Sequence, residues 1–235
     1  MRGLLVRVAA DQSKGGGGWN GPADSLNREF VYAAIPESFP VRHGTRKPYA
    51  ALRQPLNRFG LSLPSHLKKG HMHLDPDFDH LTYGDGGERA KQIRAKIRSD
   101  DLLVFYAGMR DVQPAGGLVY ALIGLYVVDE VISVDSVEPD RMHENAHTRR
   151  AKLRNGEIVV RARRGLSGRL KQYIPIGDYR ELAYRVWPKL LKEWGGLSVK
   201  NGYPQRSARL PEFSKVERFY DWFQAQDVPL LARNN

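Results

Sequence analysis

The sequence predicts an α+β fold, a curved, partly barrel-like mixed β-sheet flanked by helices, in a single domain over residues 1–235. Three observations predict it. Residues 101–108 and 118–128 are two apolar runs around a gap that holds Pro114, Gly116 and Gly117, the pattern of a β-hairpin. Both runs are almost continuously apolar rather than alternating, so both faces of the hairpin should be covered. The remaining strand-like and helix-like segments follow one another without regular alternation and without a phosphate-binding βα turn, which argues against a doubly wound sheet.

In chain order, residues 4–10 read as a first strand. A loop with four consecutive glycines, Gly15 to Gly18, follows it. Such a run forms neither helix nor strand interior, and it lets backbone amides approach an anion closely. Lys14 precedes the glycines and Trp19 follows them, offering a cation and a stacking surface. The segment lacks the Gly-Lys-Ser/Thr ending of a Walker loop. Residues 29–35 read as a second strand ended by Pro36. Residues 37–69 are rich in proline, arginine and lysine and predict irregular structure with one helical turn near 65–68.

Residues 88–98 predict a short helix, because Ala90, Ile93 and Ile97 share one side. The hairpin comes next, and 131–134 would extend its second strand. Residues 157–164 read as another strand, turned by 165–168. Asp178 as N-cap with Glu181 three residues on is a capping-box pattern, and it predicts a helix from 178 that Pro188 kinks and Gly195 ends. Residues 212–226 predict a last helix, with Val216, Phe219, Tyr220 and Phe223 on its core face.

Lys and Arg number 37 against 26 Asp and Glu, a net charge of +11 and a pI near 9.9. That excess favours polyanions, nucleic acid above all. Arg161, Arg163 and Arg164, on the strand and turn at 157–168, are the candidate nucleic-acid edge, together with Lys14 and Trp19. The chain has no cysteine, which excludes disulfides, thiolate metal sites and a thiol nucleophile. The apolar start is short and interrupted by Arg7, and no apolar run approaches a membrane span, so a cytoplasmic protein is expected.

The densest chemistry lies at 71–80. His71, His73, Asp75, Asp77 and Asp79 alternate, so a straight strand would present all of them on one side. Imidazole with carboxylate suits acid–base work or a divalent metal. Asp11, His73, Asp75 and Asp77 are the candidate catalytic groups. A second histidine pair, His143 and His147, is spaced to share a helical face. His71, His73, Asp77, His143 and His147 are therefore the candidate ligands of a divalent cation, the one cofactor this composition suggests.

Four stretches together resemble a known family. They are the first strand running into Asp11, Ser13 and the glycine loop through Gly21 and Pro22; Glu37 after Ile35 and Pro36; His73 to Asp77; and the 101–106 strand paired with one carrying Ile123 and Gly124. The order of these motifs resembles the third of the nucleotide modification associated domains. Members of that family are similar to proteins of systems that synthesise, install or read modified bases in DNA. The resemblance implies a nucleobase or nucleotide target, with DNA ahead of RNA as the nucleic-acid partner. The hairpin with Gly108 and Gly124 is also similar to the core of PUA-like readers of modified bases.

Three functions follow as expectations. The first is an enzyme acting on a nucleobase or nucleotide, with the Asp/His cluster beside the glycine-rich loop as its site. The second is a non-catalytic reader of a modified base in DNA or RNA. The third is a metal-dependent nuclease of a defence system. Five ionisable side chains within residues 71–79 favour the enzyme.

Overall fold

The computed structural model describes residues 1–204 and 209–235. Its elements run β1 (Gly3–Arg7), β2 (Pro22–Ala23), β3 (Ile35–Pro36), α1 (Arg53–Asn57), β4 (Met72–His73), β5 (Thr82–Asp85), α2 (Gly87–Lys96), β6 (Leu102–Asp111), β7 (Leu118–Ser133), β8 (Ile158–Ala162), β9 (Gly168–Arg180), β10 (Ala183–Val186), α3 (Pro188–Trp194), α4 (Val216–Gln224) and β11 (Leu230–Leu231). The class is mixed α+β, with one large mixed sheet and few helices. No helix among the described residues is long and apolar enough to cross a membrane.

The hairpin of β6 and β7 is the centre of the sheet, as the two apolar runs predict. β1 joins β6 in parallel, pairing Leu4 with Leu103 and Val6 with Phe105. The first half of β7 lies between β6 and β9, and its second half, Val128 to Ser133, pairs with β8. β8 in turn pairs with β5. Both faces are covered. Leu103, Phe105 and Ala107 belong to one core, with Phe78, Tyr83 and Ile93, whereas Leu102, Val104 and Tyr106 belong to the other, with Trp194 and Phe219. No pairing among the described residues joins β5 back to β1, so the sheet does not close into a barrel.

Two segments differ from their sequence pattern. Residues 29–35 form no long strand, although 30–34 are buried. Their amides bond to loops and to the C-terminus, with Val31 N donating to Pro22 O and Tyr32 N to Asn235 Oδ1. Only Ile35–Pro36 pairs, with Met72–His73. Residues 178–187 form a hairpin, not a helix: β9 continues to Arg180, Glu181 and Leu182 turn at φ 49° and 61°, and β10 returns. The capping residues are used otherwise, Asp178 by Arg180 and Glu181 by Arg185. Sheet pairing outweighs the local capping signal there. Pro188 begins α3 rather than kinking a helix, as its missing N–H allows at a first helical position.

Residues 8–101, between the parallel neighbours β1 and β6, form a long crossover over one face of the sheet. Phe78 anchors it, wholly buried and edge-on to Phe105 and Tyr126. A Cβ on Gly124 would sit 2.6 Å from the Phe78 ring, so this strand position needs glycine for the crossover to approach the sheet. The packing fixes the segment that carries His73 and Asp75.

Candidate active site

Four stretches distant in sequence build the site. β4 ends at His73, and Asp75 follows two residues on. Glu37 comes directly after β3, the partner of β4. His147 lies in a run of turns between β7 and β8, and Glu157 immediately precedes β8. Asn145 ties these parts together. Its Nδ2 donates to Asp75 Oδ1 at 3.0 Å, and its Oδ1 accepts the His147 amide at 2.9 Å. Gly84 on β5 donates its amide to the same Asp75 Oδ1 at 2.9 Å. A Cβ there would stand 2.4 Å from the His147 ring, so glycine lets strand and imidazole touch.

The result is an alternating row of carboxylates and imidazoles: Glu37, His73, Asp75, His147, Glu157. His73 Nδ1 is hydrogen-bonded to Glu37 Oε2 at 2.6 Å, and His147 Nδ1 lies 2.8 Å from Glu157 Oε2. Arg150 Nη1 bonds Glu157 Oε1 and also lies 3.3 Å from His147 Nδ1. The two Nε2 atoms turn to the same oxygen, Asp75 Oδ2, at 2.8 Å and 3.0 Å. Oδ2 is buried, and these two ring nitrogens are its ionic partners. The rings meet edge to face with centroids 5.0 Å apart.

The electrostatics follow from this row. Burial would raise the Asp75 pKa, but the two imidazoles outweigh it and hold the carboxyl well below its usual range. Burial would lower the pKa of His147, yet Asp75 and Glu157 push it up to about 9. Burial opposes the charge on His73 too, and Asp75 and Glu37 raise its pKa in the same way.

His73, Asp75 and His147 open onto a cavity of about 500 Å³. That is within the size range of small-molecule sites. Asp11, Ser13, Gly15 and Gly16 of the glycine loop form part of its wall, with Arg7, Tyr83, Asp85 and Arg89. Asp11 Oδ2 accepts from Arg7 Nη2 at 2.9 Å, and its Oδ1 accepts the Ser13 amide at 2.8 Å. Arg89 pairs with Asp85 at 2.9 Å and donates to the Tyr83 hydroxyl at 2.6 Å. The wall therefore presents paired donors and acceptors rather than bare cations. The amides of Gly16 and Gly18 bond inward to Ser13 O at 3.0 Å, which removes them from the anion nest that the glycine run suggests.

The structure thus brings Asp11, His73, Asp75 and His147 to one cavity and leaves the other sequence candidates outside it. Asp77 is fully buried on Arg149, Asn234 and His80, because the chain turns at Pro76 and breaks the alternation. His71 lines a separate surface pocket with Arg46 and His43. His143 and His147 do not share a helical face, since 142–149 are turns; His143 instead packs against His80 with centroids 5.4 Å apart. The five-residue ligand set expected from sequence is therefore not a cluster: His71, Asp77 and His143 lie apart from His73 and His147.

The arginine edge is also redistributed. Arg161 is buried among Glu130, Glu138 and Glu144, and Arg163 pairs with Asp100. Arg164 is exposed, as is Lys14, whereas Trp19 packs half-buried against the core. Sequence reasoning missed Arg7, Asn145, Glu157, Tyr83, Asp85 and Arg89 as site residues, and it noted Glu37 only as part of a resemblance. The glycines at 84, 86 and 87 were the available signal for a close approach at β5.

No curated protein and no solved structure matches the chain. Residues 2–218 match the family described as nucleotide modification associated domain 3. That match covers most of the chain, and within it lie Asp11, His73 and Asp75 of the cavity and Glu37 behind His73. The protein belongs to the nucleotide modification associated domain 3 family.

Proposed function

We propose that the protein is an enzyme of a base modification system, acting on a nucleobase or nucleotide held in the cavity of His73, Asp75 and His147. One observation carries this reading. The glycine loop with Asp11 and the histidine–aspartate segment, far apart in sequence, meet around a cavity whose floor is an ionisable cluster. Perturbed ionisable groups converging in a cleft are what catalysis needs, and recognition alone does not require three of them. Family membership supports a nucleotide or nucleic acid as the partner. A base within a duplex cannot reach such a pocket, so the substrate is a flipped base, a single strand or a free nucleotide. In this reading Asp11 and Arg7 face the substrate, and Lys14 and Arg164 lie on the approach of a DNA backbone.

The test is incubation of the protein with modified and unmodified DNA and with free nucleotides, followed by nucleoside mass spectrometry. The expected result is a mass change in one substrate class that Asp75→Asn abolishes while leaving affinity within a few-fold. Unchanged nucleosides, with affinity for a modified base lost in Asp75→Asn, would make the protein a reader. Scission of unmodified plasmid would make it a nuclease.

A further inference from the structure

We propose that His73 Nε2, Asp75 Oδ2 and His147 Nε2 form the protein face of a divalent transition-metal centre, with its remaining coordination positions open to the cavity. The assignment deepens the reading above but rests on coordination geometry, not on any substrate.

Four features point to it. The three donor atoms lie within 4.8 Å of one another. Asp75 Oδ2 is 2.8 Å and 3.0 Å from the two nitrogens. Ligands at bond lengths of about 2.1 Å stand roughly 3.0 Å apart when they are cis on an octahedron and roughly 3.4 Å apart on a tetrahedron. The two Oδ2–Nε2 edges match the octahedral cis spacing, and the third edge is bounded by 4.8 Å. Second, Oδ1 is satisfied by Gly84 and Asn145, while buried Oδ2 faces the two Nε2 atoms. One oxygen is thus held by the fold and the other is shared between the two imidazoles, where an ion could take the place of their protons.

Third, each imidazole has a carboxylate at its other nitrogen, Glu37 for His73 and Glu157 for His147. That outer pairing fixes the ring and leaves Nε2 as the donor, as it does for metal-binding histidines in general. Fourth, the charges match. Glu37, Asp75 and Glu157 bring three negative charges, and Arg150 neutralises part of Glu157. With both imidazoles neutral, the balance left is close to that of one divalent cation.

The donor set also selects the ion. Two imidazoles and one carboxylate suit manganese, iron, cobalt or zinc, whereas magnesium and calcium prefer oxygen ligands. Two histidines and a carboxylate fill three positions and leave others for water and for a substrate oxygen or nitrogen, so the ion would act as a Lewis acid or generate hydroxide. Asp11, Arg7 and Tyr83 line the space those positions face.

Calorimetric titration of the chelator-treated full-length protein with Mn²⁺, with Mn²⁺ paramagnetic resonance as a second readout, tests the centre without reference to turnover. One ion should bind per chain, and Mg²⁺ in tenfold excess should not displace it. Asp75→Asn and His147→Gln should each weaken binding more than about 100-fold, and Glu37→Gln by about 10- to 100-fold. Circular dichroism melting shows whether each variant is folded, and His73→Gln replaces any that is not. The proposal fails if Mn²⁺, Co²⁺ and Zn²⁺ all fail to bind the folded wild-type chain at millimolar concentration. It also fails if binding survives both Asp75→Asn and His147→Gln. Nucleotide binding measured on the same samples separates the two readings: a protein that binds nucleotide but no metal retains the function and loses the centre.

Discussion

Asp75 and Asp77 stand two residues apart in one short segment, and the fold gives them opposite surroundings. Asp77, itself fully buried, has every neighbour it needs: Arg149 at 2.7 Å, Asn234 at 3.0 Å and the amide of Asp79 at 3.2 Å. Asp75 has one oxygen held by two donors and the other turned to two imidazoles at the wall of a cavity. A carboxylate saturated by a guanidinium is a fastener. A carboxylate whose second oxygen is shared by two titratable rings can exchange those partners for a proton or an ion. The number of acidic residues in the segment does not distinguish them; only the partners do.

Removing each carboxylate in turn tests the contrast between them. Asp77→Ala strands the buried Arg149, which cannot shed its charge, and should cost about 3–5 kcal/mol in urea unfolding. Asp75→Asn should cost about 1 kcal/mol or less at pH 8, because His73 and His147 can release protons when their counter-charge goes. Equal losses in the two variants would mean that Asp75 is a fastener as well.

A pH series sharpens the comparison from a second direction. The Asp77 carboxyl is held at about 2, because His80, Arg149 and Asn234 outweigh its burial. A depressed pKa contributes stability above the unfolded value that is lost as pH falls through the folded one. Roughly 2 kcal/mol should therefore disappear between about pH 4 and pH 2, and the loss should be absent in an Asp77→Asn background. His147 has the opposite sign. Its pKa is raised to about 9, so in metal-free protein its contribution is complete below about pH 6.5 and fades as pH rises through 9. Urea midpoints of wild type and His147→Gln across that range should converge at the alkaline end.

The smallest effect concerns the arginines. Arg161 is enclosed by three glutamates, so Arg161→Ala should leave DNA affinity unchanged while lowering the melting temperature. Arg164 is exposed, and Arg164→Ala should lessen the salt dependence of DNA binding by about one phosphate contact, a slope change near 0.9. Salt titrations of the two variants side by side check the pair. A loss of salt dependence in Arg161→Ala would return that residue to the interface.

Much of the sheet is readable from the chain because its signals are local. The apolar runs at 101–108 and 118–128 can be buried only on two faces, and β6 and β7 do so. The stripe of Val216, Phe219 and Phe223 gives α4. The capping-box pattern at Asp178 misleads for the converse reason: a short-range signal worth about 1 kcal/mol yields to strand pairing along β9 and β10. At the site, alternation brings His73 and Asp75 to the same side, and then Pro76 turns Asp77 inward. Glu37, Asn145, His147 and Glu157 carry no local mark that assigns them to Asp75, because their relation to it runs through the long crossover.

The sequence by itself determined the α+β class, the central hairpin, the absence of thiol chemistry, the positive charge and the presence of an Asp/His segment, since each depends on residue type or on neighbours a few positions apart. Long-range contacts settle which carboxylate a guanidinium fastens and which sits between imidazoles, which of the histidines meet, and which arginines stay exposed. Those outcomes depend on contacts between residues up to about 157 positions apart, Asp77 with Asn234 being one, and on which polar atoms burial leaves unmatched.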